Sequence, residues 1–195
     1  MLILNNYFHI KNWHGVCNYL YIEHFRINLP LGNYQMTDIN KETISILNDL
    51  VETSIDGKEG FETSAKHAIG SDVKAFFTSR AIEVGQAVTE LQTHVTRLGG
   101  KPEDSSSVSA DIHQAWVKLK TAFTSNDDLA VLEEAERGED VAKKAYTKAL
   151  EKSREKGVDP AVIAVIEKQY QGVLANHDKV KALRDAARAA AKHNA

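Results

Sequence analysis

Glu139 and His177 stand 18 residues before and 20 residues after Gly157. If the chain folds back on itself at Gly157, both side chains reach one height on an antiparallel pair of helices. A Glu139–His177 contact across the pair is therefore expected, and a carboxylate and an imidazole at one level can bind a metal, share a proton or form a buried pair. In a second helical pair the same height carries Glu59, Arg80 and Glu83. Glu59, Glu83, Glu139 and His177 are therefore candidate ligands for a divalent cation. A second set is Glu52, Glu136 and Glu167 taken with Glu83: Glu52 precedes Glu83 by 31 residues and Glu136 precedes Glu167 by 31.

The most demanding chemistry such residues could do is that of a dinuclear carboxylate centre. It needs one Glu from each of two helices and a Glu-x-x-His from each of the other two, because positions i and i+3 share one helical face. No such motif occurs. Three residues before His67, His94, His113, His177 and His193 stand Ser64, Leu91, Ala110, Leu174 and Ala190. The chain offers Glu83-x-x-Gln86 and Glu167-x-x-Tyr170 instead. Gln is a poor ligand for a transition metal, and Tyr binds chiefly ferric iron. Iron or another divalent metal stays open as a cofactor but is not expected. The preferred reading is a buried Glu–His–Arg network that fixes helix register.

Other chemistries find no support. There is no nucleophile elbow, Walker loop or glycine-rich nucleotide turn. Cys17 is the one cysteine, so neither an internal disulfide nor a thiolate cluster can form. The formal net charge of −3 gives no basic face, so nucleic acid is excluded as a partner. No apolar run approaches the roughly 20 residues that span a bilayer, and no secretory leader pattern is present. A soluble, cytoplasmic protein is expected.

The elements that must position these residues read as helix after helix, an all-α chain. Pro30, Pro102 and Pro160 all fall at boundaries, where proline does no harm. The first helix runs from about Thr37 or Asp38 to His67, with Asp38 as its cap. Gly70 stops it, and Ser71 caps the second, which ends at Leu98 before Gly99-Gly100-Lys101-Pro102. A short third helix carries Val108, Ile112, Trp116, Leu119 and Phe123. The fourth runs from about Asp128 to Lys156, and the fifth from Pro160 to about Ala191. Two antiparallel hairpins joined by a connection of some 30 residues give a one-crossover four-helix bundle with an additional short helix in the long crossover. The apolar stripes carry Arg80, His94, Glu139, Tyr146, Tyr170, His177 and Arg184. The run Glu133, Glu134, Glu136 and the pair Lys143, Lys144 read as a solvated face. Gly57, Gly60, Gly85, Gly138 and Gly172 fall mid-bundle, where small residues either let backbones approach or leave room for something bound.

Residues 1–35 read differently. They hold half of the aromatic residues and show no sustained period. They are expected to be an irregular N-terminal extension without function, or translated upstream sequence with Met36 as the natural start. Residues 36–195 are expected to form the bundle domain.

The stretches LNDLVETSIDGKEGF (47–61), ELQTHVTRLGGKPEDSSSV (90–108) and LEEAERGEDVAKKAY (132–146) resemble a bacterial family of uncharacterised four-helix-bundle proteins in the ferritin-like superfamily. The resemblance covers about residues 38–186. It implies a ferritin-like four-helix bundle and a cytoplasmic bacterial setting, and no reaction. Three readings of function follow. The first is a non-catalytic bundle acting in stress or as an assembly partner. The second is a divergent metal-binding, iron-type ferritin-like protein using the mid-bundle carboxylates and His177. The third is an oligomerisation or partner-binding module that docks through the third helix and Trp116, or forms a homo-oligomer through its helix faces.

Overall fold

The structure is a computed structural model that describes residues 37–105 and 127–193. The N-terminal segment 1–35 and the short helix expected over 108–123 lie outside the described residues.

Among the described residues there are four helices: α1 (Asp38–His67), α2 (Ser71–Arg97), α3 (Asp128–Lys156) and α4 (Pro160–His193). Their 27 to 34 residues correspond to roughly 40–50 Å of helix. None is apolar and long enough to cross a membrane. The caps explain the boundaries. Thr37, not Asp38, caps α1, its hydroxyl accepting from Asn40 N at 3.2 Å. Asp127 caps α3. Asp159 accepts from Ala161 N at 2.7 Å at the start of α4, beside Pro160 in the first turn, where its missing N–H is not needed. Gly157 ends α3 at φ +68°, a conformation that favours glycine.

At the start of α2, Gly70 has no side chain to cap with, and Ser71 does not take that place. Asp128 of α3 instead holds the turn just before the helix. Its carboxylate accepts from Ile69 N at 2.7 Å and Gly70 N at 2.8 Å. This clasp puts the start of α3 beside the α1–α2 turn. The end of α2 lies at the other end of α1, where Asn48 holds the 99–103 turn through Lys101 O (3.0 Å) and Glu103 N (3.1 Å). Gln92 adds a bond to Glu103 O at 2.8 Å. Gly100 lies against Ile44 so closely that a Cβ would fall 2.8 Å from it. The second hairpin thus starts at the opposite end from where the first stops, which is the one-crossover, ferritin-like arrangement.

Two apolar clusters fill the bundle. One is built on Leu47, Leu91, Val95 and Ile166. The other is built on Phe77, Leu132, Val131 and Val180. The candidate site lies between them.

Candidate functional site at the middle of the bundle

Arg80 follows Phe77 by three residues on the inward face of α2, so a helix that buries the ring also buries the guanidinium. Arg80 is 8% exposed and Glu139, from α3, is 2% exposed. Arg80 Nε donates to Glu139 Oε1 at 3.2 Å, and Nη1 donates to Glu83 Oε2 at 3.4 Å. The guanidinium also lies over the Phe61 ring, 5.6 Å from its centre, a favourable placement for a cation. Burial pushes the Glu139 carboxyl up from its ordinary range, and the pull of Arg80 in the other direction does not overcome it.

A second polar arrangement crosses all four helices. Tyr146 Oη, on α3, donates to Gln169 Oε1 of α4 at 2.9 Å. Ser54 Oγ of α1 lies 3.3 Å from the same hydroxyl. With the Tyr146 proton directed to Gln169, Ser54 is the donor in that contact. Gln169 Nε2 then donates to Glu90 Oε2 of α2 at 2.9 Å and to Ala87 O at 3.3 Å. Lys168 Nζ reaches Glu90 Oε1 at 3.2 Å. The Gln169 bond, helped by Lys168, holds the Glu90 carboxyl below its ordinary range, while burial raises the Tyr146 phenol. Tyr170 stacks on Tyr146, with ring centres 6.4 Å apart and planes 11° apart.

Between these two arrangements lies a cavity of about 660 Å³. Its walls draw on both apolar clusters, including Phe61 and Val84 from one and Tyr146 and Val173 from the other. Gly57, Gly60, Gly138 and Gly172 line it, and a Cβ built on any of them meets nothing within 4 Å. These glycines leave room; they do not bring backbones together. Gly85 behaves differently. A Cβ there would touch the Lys58 side chain at 3.5 Å, and it does not line the cavity.

The expected ligand sets are dispersed. Glu83 and Glu139 meet on Arg80, while Glu59 is exposed on α1. His177 is at the expected height but pairs with Asp140, one residue beyond Glu139, at 3.3 Å. Successive helical residues are separated by about 100° around the axis, so His177 aligns with Asp140, and Glu139 turns inward to Arg80. Asp178 and Lys143 also contact His177, at 3.3 and 3.5 Å. In the second set, Glu136 pairs with Arg184 and Glu167 with Arg154. Glu52 lies near Asp49 and Glu103, and burial followed by these neighbours raises its carboxyl. Among the described residues no three His, Cys, Asp or Glu side chains converge as a metal site requires. The 133–136 run is also not the solvated face expected. Glu134 and Glu136 are largely covered, and Glu133 and Glu136 form ion pairs with Arg188 and Arg184 across to α4.

Sequence reasoning passed over Ser54, Asp56 and Gln169. Asp56 is 8% exposed and lines the cavity. Ser54 lies on the same α1 face as Leu47, Leu50 and Phe61, which is the one signal that could have marked it.

Residues 42–152 match the family model described as Domain of unknown function (DUF2383). The fold is similar to that of several solved structures. One, described as ferritin like, diiron-carboxylate proteins from Bacillus anthracis str. Ames, is 19% identical, with a TM-score of 0.61 over 76% of this chain and 99% of that one. YcfI from Rhodopseudomonas palustris is 17% identical, with a TM-score of 0.63 over 76% and 96%. A DPS protein from Vibrio cholerae O1, described as a member of a broad superfamily of ferritin-like diiron-carboxylate proteins, is 12% identical, with a TM-score of 0.57 over 74% and 90%. No curated protein matches the sequence. At these identities the likeness is one of fold.

Proposed function

The chain belongs to the DUF2383 family, a domain of unknown function, and from that premise we propose that it is a non-catalytic ferritin-like bundle whose mid-bundle site is held by an internal ion pair in place of a dinuclear metal centre. One observation carries this reading. The Arg80 guanidinium sits 3.2 Å from Glu139, the most deeply buried carboxylate of the candidate ligand set. A fixed cation there repels an incoming metal ion and already satisfies the carboxylate that would bind it. The donor set does not fit a dinuclear centre either. Glu83 and Glu139 share one arginine, Glu136 and Glu167 are engaged in ion pairs elsewhere, and His177 contacts Asp140.

The test is elemental analysis of the full chain after loading with ferrous iron, manganese or zinc and desalting. The expected content is below about 0.2 metal per chain, since a site of this donor set has no preformed geometry to reward binding. Stoichiometric metal that is lost in Glu139→Ala or His177→Ala would establish the divergent metal-binding reading instead.

A further inference from the structure

The waist of the bundle combines three features that a purely structural ion pair does not require. The cavity of about 660 Å³ falls within the range of about 300–1,000 Å³ usual for small-molecule sites. Four of its lining residues are glycines in helix interiors whose missing side chains face open space. Glycine weakens a helix, so four of them where nothing forces a close approach remove volume at a cost in stability. The exposed lining residues Glu83, Gln86 and Lys168 open the cavity to solvent on the side of α2 and α4, and Gly138 on α3 is exposed as well. A guest can therefore enter on that side without unfolding the bundle.

The chemistry of the walls restricts the guest. Arg80 is paired with Glu139 and Glu83, Glu90 with Lys168, and Glu134 with Arg137. A charged guest would lose its hydration and find these counter-ions already taken. The hydroxyls of Thr53, Thr89 and Thr93 donate to the carbonyls of Asp49, Gly85 and Thr89, so they offer the cavity lone pairs only. Ser54, donating to Tyr146, does the same. Much of the remaining lining is glycine, alanine, valine and Phe61.

We propose that this mid-bundle cavity binds one small uncharged organic molecule with an apolar body and a hydrogen-bond donor, which the acceptor oxygens of its wall receive. The proposal does not depend on whether the bundle also takes up a metal.

Indole is the probe, titrated into the full chain and followed by calorimetry. One saturable site is expected. Removing the donor in 1-methylindole, or adding a charge in indole-3-acetate or tryptamine, weakens binding by about tenfold or more, the size of effect that loss of a hydrogen bond or burial of an unpaired charge brings. The double variant Gly138→Leu/Gly172→Leu loses the site, and Gly85→Ala binds as the parent does. If the double variant fails to fold, Gly138→Ala/Gly172→Ala replaces it, with a graded weakening expected. Absence of saturable indole binding, undiminished binding in the cavity-filling variants, or charged analogues that bind as tightly as indole would each overturn the proposal.

Discussion

Toward the two ends of the bundle, Leu47, Leu91 and Ile166 in one cluster and Phe77, Leu132 and Val180 in the other are essentially sealed from solvent. At the waist the same helices present Gly57, Gly60, Gly138 and Gly172 to open space and bury Arg80, Glu139 and Tyr146 beside it. The ends are held by apolar packing that any well-matched side chains could supply. The waist is held by directed bonds from named residues around a space. Apolar packing at the ends and directed polar bonds at the waist thus hold the same four helices by different means.

The largest effect that sharpens this contrast is at an end. Phe77→Ala is expected to lower stability by about 3–5 kcal/mol in urea unfolding, from lost transfer energy and the cavity left behind. A loss below about 1 kcal/mol would show that the end is not tightly packed.

Next comes Arg80→Ala, which leaves Glu139 buried without its cation and is expected to cost about 3 kcal/mol near pH 7. Its pH dependence separates it from a packing defect. The Glu139 carboxyl is raised in the folded state. Its contribution to stability is therefore present below the ordinary carboxylate range and is lost as pH rises through the raised value. Without Arg80 the raising is stronger, so the penalty shrinks between pH 7 and pH 4, whereas the Phe77→Ala penalty does not. Glu90 slopes the other way. Its carboxyl is lowered, so its contribution is present above the ordinary range and lost as pH falls.

The smallest effect has the opposite sign. Gly138→Ala is expected to raise stability by about 0.5–1 kcal/mol, because the new Cβ meets nothing. Gly100→Ala should lower it, because its Cβ would lie 2.8 Å from Ile44. Thermal unfolding of the two variants measures both, and a destabilised Gly138→Ala would mean that the waist is not hollow.

The helices were legible in the sequence because prolines, Gly157 and the apolar period mark them without reference to anything distant. The expected start of α4 at Pro160 and end of α3 at Lys156 coincide with the observed ones. The height of Glu139 and His177 was legible for the same reason, since counting residues from a turn fixes position along an axis. Which neighbour each side chain faces was not. That depends on rotation about each helix, which placed Asp140 against His177 and sent Glu139 to Arg80. The glycines allowed two opposite readings, close approach or open space, and only the positions of the other helices decide between them. Ser54 and Gln169 were hidden because a lone polar residue on a stripe declares nothing until its partner is known.

Asp128 also sets an order of events. Its clasp joins residues 58 and 59 positions apart, while the α1–α2 turn closes over a few residues and each hairpin can zip from its own turn. Contacts of large separation form late because more chain entropy must be given up first. The two hairpins are thus expected to form before the clasp shuts, and a bond made after the folding barrier slows unfolding more than it speeds folding. On this view one carboxylate at the mouth of a turn governs how long the bundle stays closed, while the apolar ends govern how readily it forms.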